Sequence, residues 1–324
     1  MVLLLLSPAK TLNFESALPR AMRAAHPTEP SMLPRANELM STLSKLTKPQ
    51  VKSLLGVSDA LTSLNHERFT NFDKQCQRVS IGAFEGQAYK GMDATTLDEK
   101  QLDYLQRSLR ILCGLYGILR PFDMIRPYRL EMSTRLAVGQ YKNLYEFWGE
   151  SLTDALNAEL DAMKDDCSKF VVNVASQEYA KSIALTKLRA RVITVQFPGP
   201  AVYAKTARGE MVRFCAVKQV SRPEQLHEFT GEGDDWKFVA AQSSEDVFVF
   251  ERRAGNKSKQ AVSSAPAKKG ASASTIKPTP TKAGARKASG AGAAPAEDAM
   301  TVPPQQEDAD QPVLRRSGRK RPLS

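Results

Sequence analysis

The sequence has few of the residues that build common metal and disulfide sites. It contains three histidines and four cysteines in 324 residues. Zinc and iron sites need closely spaced Cys and His or paired acidic residues, so no metal and no cofactor are expected. Scattered cysteines favour a reducing compartment, so we expect a cytoplasmic protein. The four cysteines form no CxxC pair and are Cys76, Cys113, Cys167 and Cys215.

Long apolar runs and familiar catalytic motifs are also missing. The run Val2–Leu6 is too short to cross a membrane and has no basic region before it. Pro8 and Lys10 follow closely, so neither a signal peptide nor a membrane partner is expected. The chain has no P-loop, no GxSxG elbow and no HExxH motif, so no motif names a reaction.

Aromatic residues are absent from residues 255–324, which are rich in Ala, Ser, Gly, Pro and Lys. Such a segment cannot bury enough apolar area to offset chain entropy, so we predict a disordered tail. It has thirteen basic and five acidic residues, a net charge of +8 out of +11 for the chain. Residues 1–254 therefore carry only +3 and, with no linker inside them, are predicted to form a single compact domain.

A basic cluster lies at the end of this tail. Such clusters bind a nuclear import receptor or nucleic acid, although solvated charge without a receptor is the alternative. The nucleus is therefore a second hypothesis for the location of the protein. The cluster consists of Arg315, Arg316, Arg319, Lys320 and Arg321.

Several predicted strands are followed by polar residues. Val2–Leu6 reads as a buried strand that opens into a loop with Lys10. Two further strands are predicted over residues 170–175 and 191–197, and a short fourth one over 201–204. A helix follows the fourth strand, and its inward residues are predicted to be Met211, Phe214, Cys215 and Val217. Polar residues that follow these strands are Ser176, Glu178, Tyr179, Lys181, Lys205 and Arg208.

The densest stretch of glycines, aromatics and paired charges is residues 112–132. The spacing of leucines upstream predicts a helix that starts at a Thr96–Glu99 capping box and runs to Tyr116. Gly114 and Gly117 suggest a close backbone approach and then a helix stop. Residues 128–132 alternate as a strand would.

In that predicted strand, Arg129 and Glu131 share one face and Tyr128, Leu130 and Met132 the other. A charged pair opposite a buried face fits the floor of a polar cleft. An ordinary structural ion pair is the alternative.

These features together predict an α/β fold with a mixed sheet wrapped by helices. Parallel strands deliver their following loops to one edge of a sheet. We therefore expect one cleft that gathers Lys10, Arg129, Glu131, Glu178, Lys205 and Arg208. Residues 84–91 form either a loop at its rim or a turn with two packed rings. A helix over 144–160 and a hairpin of 236–241 with 247–251 complete the predicted elements.

A second candidate site lies in residues 49–61. A helix, a Leu-Gly-Val hairpin and a second helix that starts near Ser58 resemble the helix-hairpin-helix motif of DNA-repair proteins. The hairpin N–H groups of such a motif bind a DNA phosphate, and Lys48 and Lys52 would add charge. The motif usually has a second glycine where this chain has Ser58, and an ordinary helical turn is the alternative. The predicted DNA-binding residues are Lys48, Lys52, Gly56, Val57 and Ser58.

Four segments in order resemble the YaaA family of peroxide-stress proteins: LSPAKTL, LCGLYGILRPFDMIRPYRLEM, NVASQEYAKS and YAKTARG. The resemblance implies one α/β domain with a positively charged cleft and a helix-hairpin-helix-like element. It also implies binding of double-stranded or distorted DNA and protection from peroxide by limiting iron-linked damage. Carried onto this sequence, the motif positions are Lys10, Tyr116, Arg120, Arg129, Glu131, Ser176, Glu178, Tyr179, Lys181, Lys205 and Arg208.

Three functional hypotheses follow. The first is a monomeric DNA-binding protein of the oxidative stress response that is blind to DNA sequence. The second is an enzyme that acts on a nucleotide or a nucleobase-like anion, with Glu131 or Glu178 as a base and Lys10 or Arg129 as an anion ligand. The third is that the clustered charges merely pair with one another inside a stable scaffold.

Overall fold

The computed structural model of the protein describes residues 2–163 and 169–253. Cys167, the predicted tail and its basic cluster lie outside the described residues. The proposed boundary at residue 254 and the nuclear import hypothesis therefore stay predictions. No helix within the described ranges is both long and apolar enough to cross a membrane.

A seven-stranded sheet organises the fold, and its five inner strands are parallel. Its order is β10-β11-β9-β8-β1-β5-β6, with antiparallel strands at both edges. The strands are β1 (Val2–Leu6), β5 (Leu109–Cys113), β6 (Gly117–Leu119), β8 (Phe170–Asn173), β9 (Arg191–Gln196), β10 (Trp236–Phe238) and β11 (Val247–Arg252). Two short ladders pair β2 (Thr11–Leu12) with β4 (Phe84–Glu85) and β3 (Arg78–Val79) with β7 (Met124–Ile125).

The first strand lies in the middle of this sheet because all five of its side chains are apolar and buried. Leu4 is opposite Leu109 of β5 on one side and Val172 of β8 on the other. A strand that is buried on both faces reads as a continuous apolar run, as Val2–Leu6 does. The predicted α/β fold with a mixed sheet is therefore confirmed.

Helices connect and flank these strands. Helix α11 packs along α6, and both α7 and α11 contact β1. The helices are α1 (Arg20–Ala24), α2 (Leu33–Leu43), α3 (Lys48–Leu55), α4 (Asp59–Thr70), α5 (Ser80–Ala83), α6 (Gln87–Met92), α7 (Glu99–Ser108), α8 (Leu144–Trp148), α9 (Ser151–Ala162), α10 (Gln177–Ala180) and α11 (Ala201–Lys218).

The predicted helix over residues 99–116 is wrong in its second half. Its capping box is formed by Asp98 and Gln101 instead of Thr96 and Glu99. The helix ends at Ser108, and β5 follows with every side chain buried. In a fully buried strand, apolar and polar residues do not alternate. The apolar residues of β5 therefore continued the three- and four-residue spacing of α7 by chance.

Two other predicted elements also differ. Residues 201–204 begin the 18-residue helix α11 instead of forming a strand, and Val217 is exposed instead of inward. The helix predicted over 144–160 is two helices, because Gly149 at φ 49° separates them. Residues 128–132 pair with no other strand among the described residues, yet their side chains alternate as predicted, with Tyr128, Leu130 and Met132 buried.

Two glycines hold the fold where backbones meet. A Cβ atom on Gly114 would lie 2.4 Å from the carbonyl oxygen of Leu130, which accounts for the predicted close approach. A Cβ on Gly209 of α11 would lie only 1.6 Å from the carbonyl oxygen of Ala88 in α6. Any larger residue would push these segments apart, so the glycines fix the positions of 129–131 and of α11.

Candidate functional site

A cavity of about 600 Å³ lies where β1 and β8 end. The carboxyl ends of neighbouring parallel strands are a favoured ligand position in open α/β sheets. The loop after β1, the segment 128–131, α10 and one face of α11 form its walls. Eight of the predicted cleft residues line it, namely Lys10, Arg129, Glu131, Ser176, Glu178, Tyr179, Lys205 and Arg208.

Hydrogen bonds join the two strand ends at the cavity. The Ser176 backbone N–H donates to Ser7 Oγ at 2.8 Å, and the two hydroxyl oxygens are 3.2 Å apart. Tyr89 donates its phenolic O–H to the carbonyl oxygen of Ser7 at 3.2 Å. Tyr89 belongs to the predicted rim, residues 84–91, of which residues 85–89 do line the cavity.

Glu131 is shared by two cations. Its Oε1 lies 3.1 Å from a terminal nitrogen of Arg129 and 3.3 Å from Nζ of Lys10. The side chains of Arg129 and Glu131 are 19% and 18% exposed, whereas Lys10 is 63% exposed. Neither Oε1 of Glu131 nor Nε of Arg129 makes a well-oriented hydrogen bond within the described part of the chain. The cluster is therefore an ion pair with spare hydrogen-bonding capacity.

Glu178 is held by hydrogen bonds both at its carboxylate and at its backbone carbonyl. Its Oε1 accepts from both the backbone N–H and the hydroxyl of Ser133, at 3.1 and 2.7 Å. The Tyr145 hydroxyl donates to the Glu178 carbonyl oxygen at 2.9 Å. The Ser133 bonds orient the carboxylate, and the Tyr145 bond holds the backbone of the same residue.

Helix α11 brings Lys205 and Arg208 to the cavity from one face, three residues apart. Their position at the cavity was predicted, but the prediction relied on a strand over residues 201–204, where the structure has the start of α11. Burial lowers the pKa of the Arg208 guanidinium from its ordinary value. Across residues 2–163 and 169–253, neither side chain has an ion pair or a hydrogen bond.

Buried phenol groups of Tyr89, Tyr128 and Tyr179 line the cavity, and the Cys113 thiol lies behind Tyr128. Tyr128 OH and Cys113 Sγ are 2.8 Å apart, and burial raises the pKa of the Cys113 thiol to about 11. Burial also raises the pKa values of Tyr89, Tyr128 and Tyr179 above the ordinary phenol value. These groups are therefore neutral near pH 7 and act as hydrogen-bond donors or acceptors without charge.

Three predicted cleft residues do not line the cavity. Tyr116 is buried, and its hydroxyl accepts from the backbone N–H of Arg126 at 3.1 Å. Arg120 forms an ion pair with buried Asp123 at 3.2 Å. Lys181 is exposed at the C-terminal end of α10. The first two stabilise the fold around the site.

The second candidate site is formed by α3, α4 and the turn between them. Gly56 ends α3 in a left-handed conformation at φ 59°, and Ser58 caps α4. Gly56 and Ser58 are exposed, and Val57 is half-buried. Lys48 is exposed, whereas Lys52 pairs with Asp59 at 2.7 Å. An exposed helix N-terminus with a nearby lysine can bind a phosphate, although Asp59 offsets the charge of Lys52.

Glu210 on α11 predicts a pH effect on stability. Burial, with Glu232 and Asp235 nearby, raises the pKa of its carboxyl from 4.5 to about 7. The folded state therefore holds a proton that the unfolded state releases, and stability falls as pH rises from about 4.5 to 7. We expect Glu210→Gln to be more stable than the parent at pH 8 and equally stable at pH 4. Urea unfolding at both pH values checks this, and an equal difference at both would contradict it.

No metal site is evident in the part of the chain that the structure describes, where no three His, Cys, Asp or Glu side chains lie together. The predicted set of cleft residues did not include Ser7, Gln177 and Tyr128, which also line the cavity. The position of Ser7 directly after a buried strand was a usable signal. Tyr128 was assigned to the buried face, but residues of both faces of 128–131 line the cavity.

Comparison with known proteins identifies the family. The model of the family described as peroxide stress protein YaaA matches residues 2–242. A UPF0246 protein of Aliivibrio fischeri (strain MJ11) is 40% identical over 268 residues, which cover 79% of this chain and all of that protein. A UPF0246 protein of Burkholderia mallei (strain SAVP1) is 39% identical over 266 residues, which cover 78% of this chain and all of that protein. This chain belongs to the family of the peroxide stress protein YaaA.

Proposed function

We propose that this protein binds DNA during the cellular response to hydrogen peroxide, without regard to DNA sequence, and so limits damage linked to free iron. Membership in the peroxide stress family supports the stress role. DNA binding is inferred from the exposed turn between α3 and α4. There Gly56 allows a left-handed turn, and the exposed start of α4 lies beside Lys52, which pairs with Asp59.

The shape of this turn favours contact with the phosphate backbone. Open space surrounds the Gly56 Cα, so a DNA strand can approach the backbone closely. Lys52 lies in the last turn of α3, next to this turn, and Lys48 lies at the other end of the same short helix, about 12 Å along its axis. Contacts of this kind position a duplex but carry no sequence information.

The salt dependence of DNA binding tests this proposal. For the full chain and a fluorescent 20-base-pair duplex, we expect a plot of log affinity against log salt concentration with a slope of about −2 or steeper, as two or more phosphate contacts require. Duplexes of equal length and different sequence should bind within about threefold of one another. Fluorescence anisotropy measures both. Strong discrimination among these duplexes would contradict the proposal.

A second candidate is an enzyme that acts on a nucleotide or nucleobase-like anion. The enclosed cavity favours it, because Arg129 and Glu131 are mostly buried there and keep unused hydrogen-bonding atoms. Glu131→Gln and Lys10→Ala, made separately, distinguish the candidates. Loss of a small-molecule activity with DNA binding retained favours the enzyme. The predicted monomeric state and cytoplasmic location stay predictions.

A further inference from the structure

The walls of the cavity differ in how their charges are balanced. On one wall, Glu131 forms ion pairs with both Lys10 and Arg129 within 3.3 Å, so one carboxylate is shared by two cations. On the α11 wall, Lys205 and Arg208 have no carboxylate within 4 Å in the described ranges. Two other acids, Glu85 and Glu178, line the cavity, but within the described ranges neither forms an ion pair with Lys205 or Arg208. The α11 wall therefore carries uncompensated positive charge.

A partly buried guanidinium without a partner is unusual. Burial costs a charged group free energy unless hydrogen bonds or an opposite charge compensate it. Burial lowers the pKa of Arg208 and no protein group in the described part of the chain offsets that loss. An anion bound in the cavity would supply the missing partner.

The backbone beneath these two cations is rigid. Thr206, next to Lys205, places its carbonyl oxygen 2.3 Å from where a Cβ on Gly91 would lie, and Gly209, next to Arg208, meets Ala88 in the same way. These two contacts fix the backbone of α11 against α6 next to Lys205 and Arg208. Because the helix is already in place, ligand binding has to order only the two side chains and not the backbone that bears them.

We propose that the cavity binds a small phosphate monoester of mononucleotide size, with its phosphate held by Arg208 and Lys205. The dianion matches two cations, and a guanidinium can bind two phosphate oxygens at once. The cavity of about 600 Å³ is large enough for a nucleoside beside the phosphate. The hydroxyls of Ser7 and Ser176 and the buried Tyr89 line the rest of it. This inference rests on the small-molecule candidate above and is independent of DNA binding at the turn.

Calorimetric titration of the full chain with adenosine 5′-monophosphate, adenosine and inorganic phosphate tests the inference. We expect the monophosphate to bind at least about 30-fold more tightly than adenosine, because charged hydrogen bonds to the phosphate are lost with it. Arg208→Gln should weaken the monophosphate by about 30-fold, and Arg208→Lys by less because it keeps the charge. Lys218→Gln on the same helix, exposed and outside the cavity, is the matched control and should change nothing.

The source of the phosphate is tested in the same titration. A 5′-phosphorylated oligonucleotide and its 5′-hydroxyl counterpart show whether a strand end also fills the subsite. A difference between these two that Arg208→Gln removes supports the subsite with a DNA end as its source. Equal affinity for the monophosphate and adenosine, or unchanged binding by both Arg208 variants, would overturn it.

The same variants separate this inference from the proposed function. Duplex binding by Arg208→Gln should equal that of the parent, since the turn between α3 and α4 holds the duplex. Monophosphate binding without duplex binding would overturn only the DNA proposal. Duplex binding without any phosphate-dependent ligand binding would overturn only the subsite.

Discussion

Replacing Gly209 with alanine is expected to lower the free energy of unfolding by about 3 kcal/mol or more. The new Cβ would lie 1.6 Å from the carbonyl oxygen of Ala88 and 2.8 Å from the backbone nitrogen of Met92. Both atoms belong to the backbone of α6, so no side chain can rotate away to relieve the overlap. Helix α11 would have to move, and Arg208 would move with it. Urea unfolding monitored by circular dichroism measures the change.

The control for this variant is Gly56→Ala. Apart from Gly56 and its chain neighbours, no atom of residues 2–163 and 169–253 lies within 4 Å of the Cβ position of Gly56, but its φ of 59° is unfavourable for alanine. Only the cost of the left-handed backbone applies there, about 1 kcal/mol. If Gly209→Ala cost no more than this control, the close contact of α11 with α6 would be refuted.

Replacing Asp123 with alanine is expected to destabilise the fold by about 3 kcal/mol or more. Its carboxylate is 1% exposed and accepts from the Thr28 hydroxyl at 2.6 Å and from the Arg120 backbone N–H at 2.8 Å. The same carboxylate pairs with the Arg120 guanidinium at 3.2 Å. Alanine would leave all three donors without their acceptor. Chemical denaturation measures the loss.

The matched control is Asp161→Ala, which removes an exposed ion pair with Arg189. Exposed pairs contribute at most about 1 kcal/mol, so we expect little change. Equal effects of the two substitutions would show that Asp123 is not the centre of a buried network. Arg120 is part of that network and does not line the cavity, so we attribute its presence in the motif to stabilisation of the fold.

The sheet was predictable where a strand is buried on both faces. Val2–Leu6 is five apolar residues with no polar residue among them, and such a run fits a central parallel strand. The same property concealed β5, because Leu109–Cys113 directly continues the apolar face of α7. Periodicity cannot separate a buried strand from a buried helix, so the boundary at Ser108 needed the structure.

Helix α11 was mispredicted at its start for a different reason. Val202 and Tyr203 favour strands, but here they are 48% and 43% exposed on the first turn of a helix. Gly209 in the helix interior also weakened the helical signal. That glycine is tolerated because α6 packs directly on it, and this contact is a tertiary property that local sequence does not reveal.

The candidate cavity was predictable in part. Lys10 and Glu178 were expected because each follows a buried strand, and the two strands are neighbours in the sheet. Arg129 and Glu131 were expected from alternation alone, although no strand forms there. Tyr116 and Arg120 were included because they share the central motif with these residues. Only the structure separates motif residues that face the cavity from those that support it.

The most direct test of DNA binding at the turn compares two charge reversals in residues 1–254, which lack the basic tail. Lys48→Glu with Lys52→Glu changes the turn, and Lys100→Glu with Lys218→Glu changes net charge equally at exposed positions on α7 and α11. Anisotropy with a duplex at fixed salt is measured for both. We predict that the first pair weakens binding at least about tenfold and the second less than threefold. Equal losses, or no binding by the parent 1–254 chain, would contradict the proposal.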